Sequence, residues 1–224
     1  MLNSLEDSYS KYYKFTFSSN NLWPTEFALR ALLGKNYSFK DNSEKNNALD
    51  LGFGDGRNLG LLISKYKNVY GLEISKEICN CGKSKFPNVD FIVGKSNNIN
   101  KEKDFFDLVL AVHSIYYCDL AEINSHYMEV NRVLKKGGRF VFSIPTLKSY
   151  LLKNATILPD GYARINFDPL QIRVGQIIKF YSKKENLRED LIKFGFTNIK
   201  IGLAKNDWWG IKEYSYIVSC NKSI

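Results

Sequence analysis

From about residue 46, short unbroken apolar runs alternate with longer stretches whose apolar positions recur every three or four residues. The short runs read as strands buried on both faces, and the longer stretches as helices with one buried stripe. The predicted strands are NALDLGF (47–53), NVYGLEI (68–74), NVDFIVG (88–94), FFDLVLAVHSI (105–115) and RFVFSIP (139–145). Predicted helices fall between them at 56–66, at 75–85 with Ser75 as N-cap, and at 119–135, opened by Asp119 and ending before Gly137–Gly138. Strand–helix alternation of this kind gives a parallel sheet covered on both faces. Right-handed crossovers then make it a doubly wound α/β sandwich.

The flanks follow other patterns. Residues 1–45 read as a helical cover, clearest in WPTEFALRALLG, ahead of the polar linker KDNSEKNN (40–47). Residues 146–180 mix short elements with Pro159, Gly161 and Pro169, and a segment that long with no regular pattern is expected to be a functional cap. Residues 181–224 hold a helix (ENLREDLIKFGF) and two strands (TNIKIGLA and EYSYIVSC) that form an antiparallel hairpin at a sheet edge. The expected organisation is a single domain, 1–224, built on a core at 46–145.

Composition changes this picture little. The net charge is +9, but only 7 of the 32 basic residues are arginine, and they are scattered. Clustered arginine would mark phosphate recognition, so a solvated basic surface is the favoured reading and a nucleic-acid partner the disfavoured one. No apolar run is long enough to span a membrane, and the first twenty residues lack the apolar centre of a secretory signal, so the cytoplasm is the expected compartment. Cys79 and Cys81 have no second pair for zinc, Cys118 and Cys220 read as core residues, and no metal site is expected.

The chemistry concentrates at Asp50-Leu51-Gly52-Phe53-Gly54-Asp55-Gly56, where the first strand hands over to the first helix. Open α/β sheets bind ligands in that crevice. The spacing G-x-G-x-G is one residue short of the dinucleotide fingerprint, which disfavours an NAD oxidoreductase, and no lysine follows in the P-loop register. Asp50 and Asp55 would repel a pyrophosphate but suit a ligand with a sulfonium and an α-ammonium. Glu73 closes the second strand, where a carboxylate can accept two hydrogen bonds from a ribose diol.

These residues resemble the class I S-adenosylmethionine-dependent methyltransferases. Asp50, Gly52, Gly54 and Gly56 match the first motif of that family, Glu73 its second-strand acid, and Asp107 in FDLVLAVHSI its fourth-strand motif. The stretch from Glu129 through Arg132 to Gly137-Gly138 matches a later signature. The resemblance implies a seven-stranded, mostly parallel Rossmann-like sheet in a three-layer sandwich, ending in an antiparallel hairpin. It also implies S-adenosylmethionine as cofactor, S-adenosylhomocysteine as product, and cofactor contacts that include Phe53, Ile74 and Val112. One departure stands out: Lys95 occupies the place of the usual adenine-binding aspartate and cannot accept a hydrogen bond. The adenine contact therefore moves to Ser96 or Asn97.

For the acceptor, His113 at the end of the fourth strand is the candidate catalytic residue. It is either a general base or a residue packed beside the cofactor. Tyr116 and Tyr117 would shape the acceptor pocket or serve the core, and Ala111-Val112-His113-Ser114 lacks the strand end typical of adenine or cytosine N-methylation. Tyr162, Arg164, Asp168 and Arg173 in the cap, and Trp208 and Trp209 in the hairpin, suit a hydroxylated and anionic acceptor. Tyr13 and Trp23 would cover the cofactor. The expected function is methyl transfer to a small sugar, sugar nucleotide or phosphorylated precursor of a surface glycan. The alternatives are an RNA or protein N-methyltransferase and a non-catalytic S-adenosylmethionine-binding module.

Overall fold

The computed structural model describes residues 13, 22–33, 46–169, 171–209 and 211–224. In chain order the elements are α1 (Glu26–Leu33), β1 (Asn47–Leu51), α2 (Leu59–Ile63), β2 (Asn68–Glu73), α3 (Lys76–Lys85), β3 (Val89–Val93) and β4 (Phe106–Ala111). Then come α4 (Ile123–Val133), β5 (Leu134–Pro145), β6 (Thr156–Leu158), β7 (Tyr162–Arg164), β8 (Ile177–Lys179), α5 (Lys184–Lys193), β9 (Phe196–Trp208) and β10 (Ile211–Lys222). Seven strands form one sheet in the order β3-β2-β1-β4-β5-β10-β9. Pairing is parallel from β3 to β5 and antiparallel where β10 meets β5 and β9. This is the expected α/β architecture with its terminal hairpin.

The central strands have the continuous apolar character that parallel sheets need, with Ala48 to Leu51 and Leu108 to Ala111 all buried. One face packs on α1, α2 and α3 through Ala28, Leu59, Leu62 and Ile78. The other packs on α4 and α5 through Tyr127, Val130, Leu187 and Leu191. The predicted N-cap holds: Ser75 Oγ accepts from the Ile78 N–H at 3.3 Å. Cys118 and Cys220 are buried as expected. Among the described residues, no helix is long and apolar enough to cross a membrane.

Two expectations need correction. The helix expected to open at Asp119 starts at Ile123, because Ala121 takes a φ of 63° that a helix cannot continue through. Its first amide is satisfied from a distance: the Ile123 N–H donates to Tyr162 Oη at 3.4 Å, while the Asp119 N–H goes to Glu122 Oε2 at 2.8 Å. The fifth strand also begins earlier, at Leu134. Leu134 pairs with Phe106, and after a bulge that contains Gly137 and Gly138, Arg139 pairs with Leu108.

The 146–180 segment is a small three-stranded antiparallel sheet, β6-β7-β8, fastened to the core rather than hanging over it. Tyr117 bridges to Ile178, Thr146 to Tyr181, and the Lys179 N–H donates to Tyr116 O at 2.9 Å. Tyr162, Ala163, Ile165 and Ile178 are buried in the same apolar cluster as α4. The expected helix WPTEFALRALLG appears in part as α1; the rest of 1–45 lies outside the described residues apart from Tyr13 and residues 22–25.

Candidate active site

The strand order reverses at β1, whose neighbours are β2 and β4, and the crevice opens at the carboxyl ends of β1 and β4. Two cavities meet there. The first, about 400 Å³, is lined by Gly52, Glu73, Ile74, Ser96 and His126, with Arg164 and Gln176 from the cap. The second, about 260 Å³, is lined by Phe53, Gly54, Val112, Tyr150, Arg173 and Glu213. Tyr13, Gly52, His113 and Tyr117 line both.

The glycine loop is shaped by close approach. Gly52 has a φ of 71°, and a Cβ there would lie 2.5 Å from Ser114 Cβ. Its N–H donates to Leu72 O at 2.8 Å, and Ser114 Oγ donates to Leu51 O at 2.6 Å, so the ends of β1, β2 and β4 are tied together at this point. At Gly54 a Cβ would lie 2.7 Å from the ring of Tyr13, which rests on the loop. Gly56 lies behind the loop, where its N–H donates to Phe53 O at 2.9 Å and its carbonyl accepts from the Leu59 N–H at 3.0 Å.

Three carboxylates face this loop. Glu73 accepts from the Ile74 N–H at 2.9 Å and from the Gly54 N–H at 3.3 Å. Burial raises its pKa, and those two N–H groups oppose the rise. Asp55 is held by Arg57, whose Nε donates to Oδ1 at 2.9 Å. Asp50 is buried at 1% exposure, and its Oδ2 has no hydrogen-bond partner among the described residues. Burial, with Asp55 and Glu73 nearby, pushes the Asp50 carboxyl up to about 8. Asp50 lines neither cavity and holds its proton at neutral pH; an ammonium brought against its open Oδ2 would favour the carboxylate form. Glu73 fits a diol, and the glycine cradle admits a ligand backbone. The residues present therefore fit S-adenosylmethionine.

The two residues expected at the adenine, Ser96 and Asn97, are placed differently. Ser96 lines the first cavity, its Oγ 3.2 Å from His126 Nδ1. Asn97 does not line it, because its amide donates to Glu122 Oε1 at 2.6 Å and faces α4. Lys95 is exposed at the cavity rim.

His113 takes a φ of 53°, which aims its ring between the cavities. Its N–H donates to Ser143 Oγ at 2.9 Å, and the same oxygen lies 3.3 Å from its Nδ1. Its Nε2 lies 3.2 Å from Glu213 Oε1. Burial lowers the imidazole pKa, Glu213 opposes that, and Arg173 and Arg57 add to it, so the ring is neutral at neutral pH. Glu213 and Ser143 are the site residues that sequence reasoning missed. Both lie far from His113 along the chain and carry no motif.

The cap contributes Arg173. Asp168, fully buried, accepts from the Ile172 N–H at 3.0 Å, from the Arg173 N–H at 3.1 Å, and from Arg173 Nη1 at 3.2 Å. Arg173 Nη1 also donates to Tyr150 Oη. Asp168→Ala strips a buried turn of its acceptor and is expected to cost about 1–3 kcal/mol, read as a lower midpoint in thermal unfolding. A midpoint unchanged by the substitution would mean that the turn holds itself. Of the other expected acceptor residues, Tyr162 is buried in structure, Arg164 lines the first cavity, and Trp209 is 96% exposed and lines neither. Trp23, expected over the cofactor, is 80% exposed and also lines neither. The side chain of Trp208 lies outside the described residues.

Fold and loop together define a class I, Rossmann-like S-adenosylmethionine-dependent methyltransferase domain. Residues 49–142 match the family model described as a methyltransferase domain. The uncharacterized protein MJ1252 of Methanocaldococcus jannaschii is 29% identical over 168 residues, covering 66% of this chain and 60% of that one. The ubiquinone/menaquinone biosynthesis C-methyltransferase UbiE of Campylobacter jejuni is 30% identical over 134 residues, covering 54% of this chain and 55% of its own. The chain thus spans between 55% and 60% of the length of these relatives. The crystal structure of the Pyrococcus horikoshii protein PH0226 is similar at a TM-score of 0.65 and 26% identity, covering 95% of this chain and 99% of that one.

Proposed function

We propose that the protein is a methyltransferase that moves the methyl group of S-adenosylmethionine to a small acceptor bearing a protic group, held in the second cavity. What carries this reading is that Gly52, Tyr13, His113 and Tyr117 line both cavities, so a group in the second cavity meets whatever the glycine loop holds. At about 260 Å³ that cavity is smaller than the ~300–1,000 Å³ pockets of drug-sized ligands, which favours a metabolite over RNA, protein or a whole sugar nucleotide. Four free cysteines suit the reducing cytosol in which we place it.

Asp50 would hold the α-ammonium, Glu73 the ribose diol, and Ser96 the adenine edge. When bound, S-adenosylmethionine supplies an electrophilic methyl group on a sulfonium. The protein's own task is then to align the acceptor and take its proton. Ser143 Oγ both donates and accepts, so it lets the His113 ring carry its proton on either nitrogen. With that proton on Nδ1, the Nε2 lone pair is available beside Glu213, and the pair accepts one proton from the substrate. A hydroxyl acceptor fits this arrangement. So does a carbon acid of the kind a C-methyltransferase uses, since it also gives up a proton. Of the two arginines behind the anionic expectation, Arg173 is bound to Asp168, and Arg164 lines the first cavity rather than the second, its Nη1 donating to Gly175 O at 3.4 Å.

The test is formation of S-adenosylhomocysteine, with a 14-dalton mass gain in acceptors drawn from a metabolite extract. A protein that binds S-adenosylhomocysteine yet methylates nothing would refute the reading. The pH profile adds a second check. Because burial lowers the folded pKa of His113 below the usual imidazole value of ~6.5, kcat/KM is expected to hold at neutral pH and fall only below that value. Glu213→Gln removes the neighbour that raises the pKa, so the acid limb should move lower still. A limb at or above ~6.5, or one unmoved in the variant, would mean that His113 is not the group titrating.

A further inference from the structure

Of the charged groups that line the second cavity, one carboxylate has no partner of fixed opposite charge, and it points to the acceptor. Among the described residues, its charged lining groups are Asp55, Arg57, Arg173 and Glu213. Arg57 is paired with Asp55, and Arg173 with the buried Asp168. Among the described residues the ion-pair partner of Glu213 is His113, whose imidazole pKa burial lowers, so this carboxylate has no permanently charged partner. The Glu213 side chain keeps 30% of its surface open. Four tyrosines, Tyr13, Tyr116, Tyr117 and Tyr150, line the same space beside Asn58, Ser149 and Ser215, with the Tyr116 and Tyr117 ring centroids 4.5 Å apart. A lone carboxylate among tyrosine rings suits a cation, because the ring faces attract positive charge and Coulomb attraction strengthens away from water.

We infer that the acceptor enters as a small ammonium ion, held by the Glu213 carboxylate in a cavity walled by Tyr13, Tyr116, Tyr117 and Tyr150. This rests on the methyl-transfer reading above and narrows it to an amine substrate. An ammonium has no lone pair, and the same groups that recognise it remove the obstacle: it loses one proton to the His113–Glu213 pair. The freed nitrogen lone pair forms the new N–C bond as the C–S bond breaks, and the electron pair of that bond stays on sulfur. Positive charge thereby passes from sulfur to nitrogen, and the proton leaves the pair for solvent.

The experiment uses matched triplets that differ only in the charge of the tail, among them tyramine, tyrosol and 3-(4-hydroxyphenyl)propionate. Each is titrated calorimetrically at neutral pH into the full chain, with and without saturating S-adenosylhomocysteine, and into Glu213→Gln. The ammonium member of a triplet should bind at least tenfold more tightly than the alcohol, the carboxylate should bind weakest, and Glu213→Gln should remove the preference. S-adenosylhomocysteine binding should not change in that variant. Equal or tighter binding of the neutral or anionic members, or no binding anywhere in the set, overturns the inference. A variant that loses S-adenosylmethionine relative to S-adenosylhomocysteine also overturns it, because Glu213 would then serve the sulfonium. Failure of S-adenosylhomocysteine to bind wild type is a separate result that strikes the parent reading, while the titrations without it still decide the amine preference.

Discussion

Gly52→Ala should unfold the active site before it unfolds anything else. The new Cβ would lie 2.5 Å from Ser114 Cβ, at a backbone φ of 71° that L-residues resist. The left-handed conformation costs about 1–2 kcal/mol and the overpacking about 1–3, together ~2–5 kcal/mol. For a chain of this size that is a fall of roughly 5–15 °C in unfolding midpoint. S-adenosylhomocysteine binding should fall with it, because relief of the clash moves the loop away from β4. Ser114→Gly in the same background separates the two causes. It removes the colliding atom but not the strain, so the double variant should recover part of the midpoint and not all of it. A single variant with wild-type midpoint and binding would show that the loop has room the geometry denies.

Glu73→Ala should have the largest effect on cofactor affinity. A diol gives a carboxylate two hydrogen bonds, each worth roughly 1.5–3 kcal/mol. Loss of one weakens binding about tenfold, and loss of both more than a hundredfold. Glu73 also accepts the Gly54 and Ile74 N–H groups, so the alanine variant loosens the loop as well. Glu73→Gln keeps the size and one acceptor oxygen, and should fall between wild type and alanine. Calorimetric titration with S-adenosylhomocysteine reads all three proteins. Equal affinity across them would remove Glu73 from the cofactor site.

The cofactor half of the site was legible because its information is local. The glycine spacing, Glu73 at the end of β2 and Ser75 at the start of α3 each act within a few residues of themselves, and the pattern that marks them is short. What escaped is what the fold brings together from a distance. Glu213 reaches His113 only because β10 pairs with β5, and nothing in EYSYIVSC marks its first residue as part of a site. The start of α4 was misplaced because its cap is not sequential: Tyr162 from the cap sheet does the work expected of Asp119. Asn97 was a reasonable adenine contact by position, but Glu122 takes its amide instead. Asp168 and Arg173 read in the sequence as cap residues that suit a hydroxylated and anionic acceptor. The structure shows them gripping each other.

The sheet order also sets a sequence of assembly during synthesis. β10 lies between β5 and β9, so β9 has no place in the sheet until the strand made after it arrives. β9 and β10 must therefore meet as a local hairpin and dock on β5 together, while the edge of β5 waits uncovered. The glycine loop, Glu73 and His113 all precede that step, and Glu213 and Ser215 come with it. A ribosome-bound intermediate would hold a finished cofactor crevice beside an unfinished acceptor wall. The two halves of the site are born in order, and the His113–Glu213 contact exists only once β10 is in place.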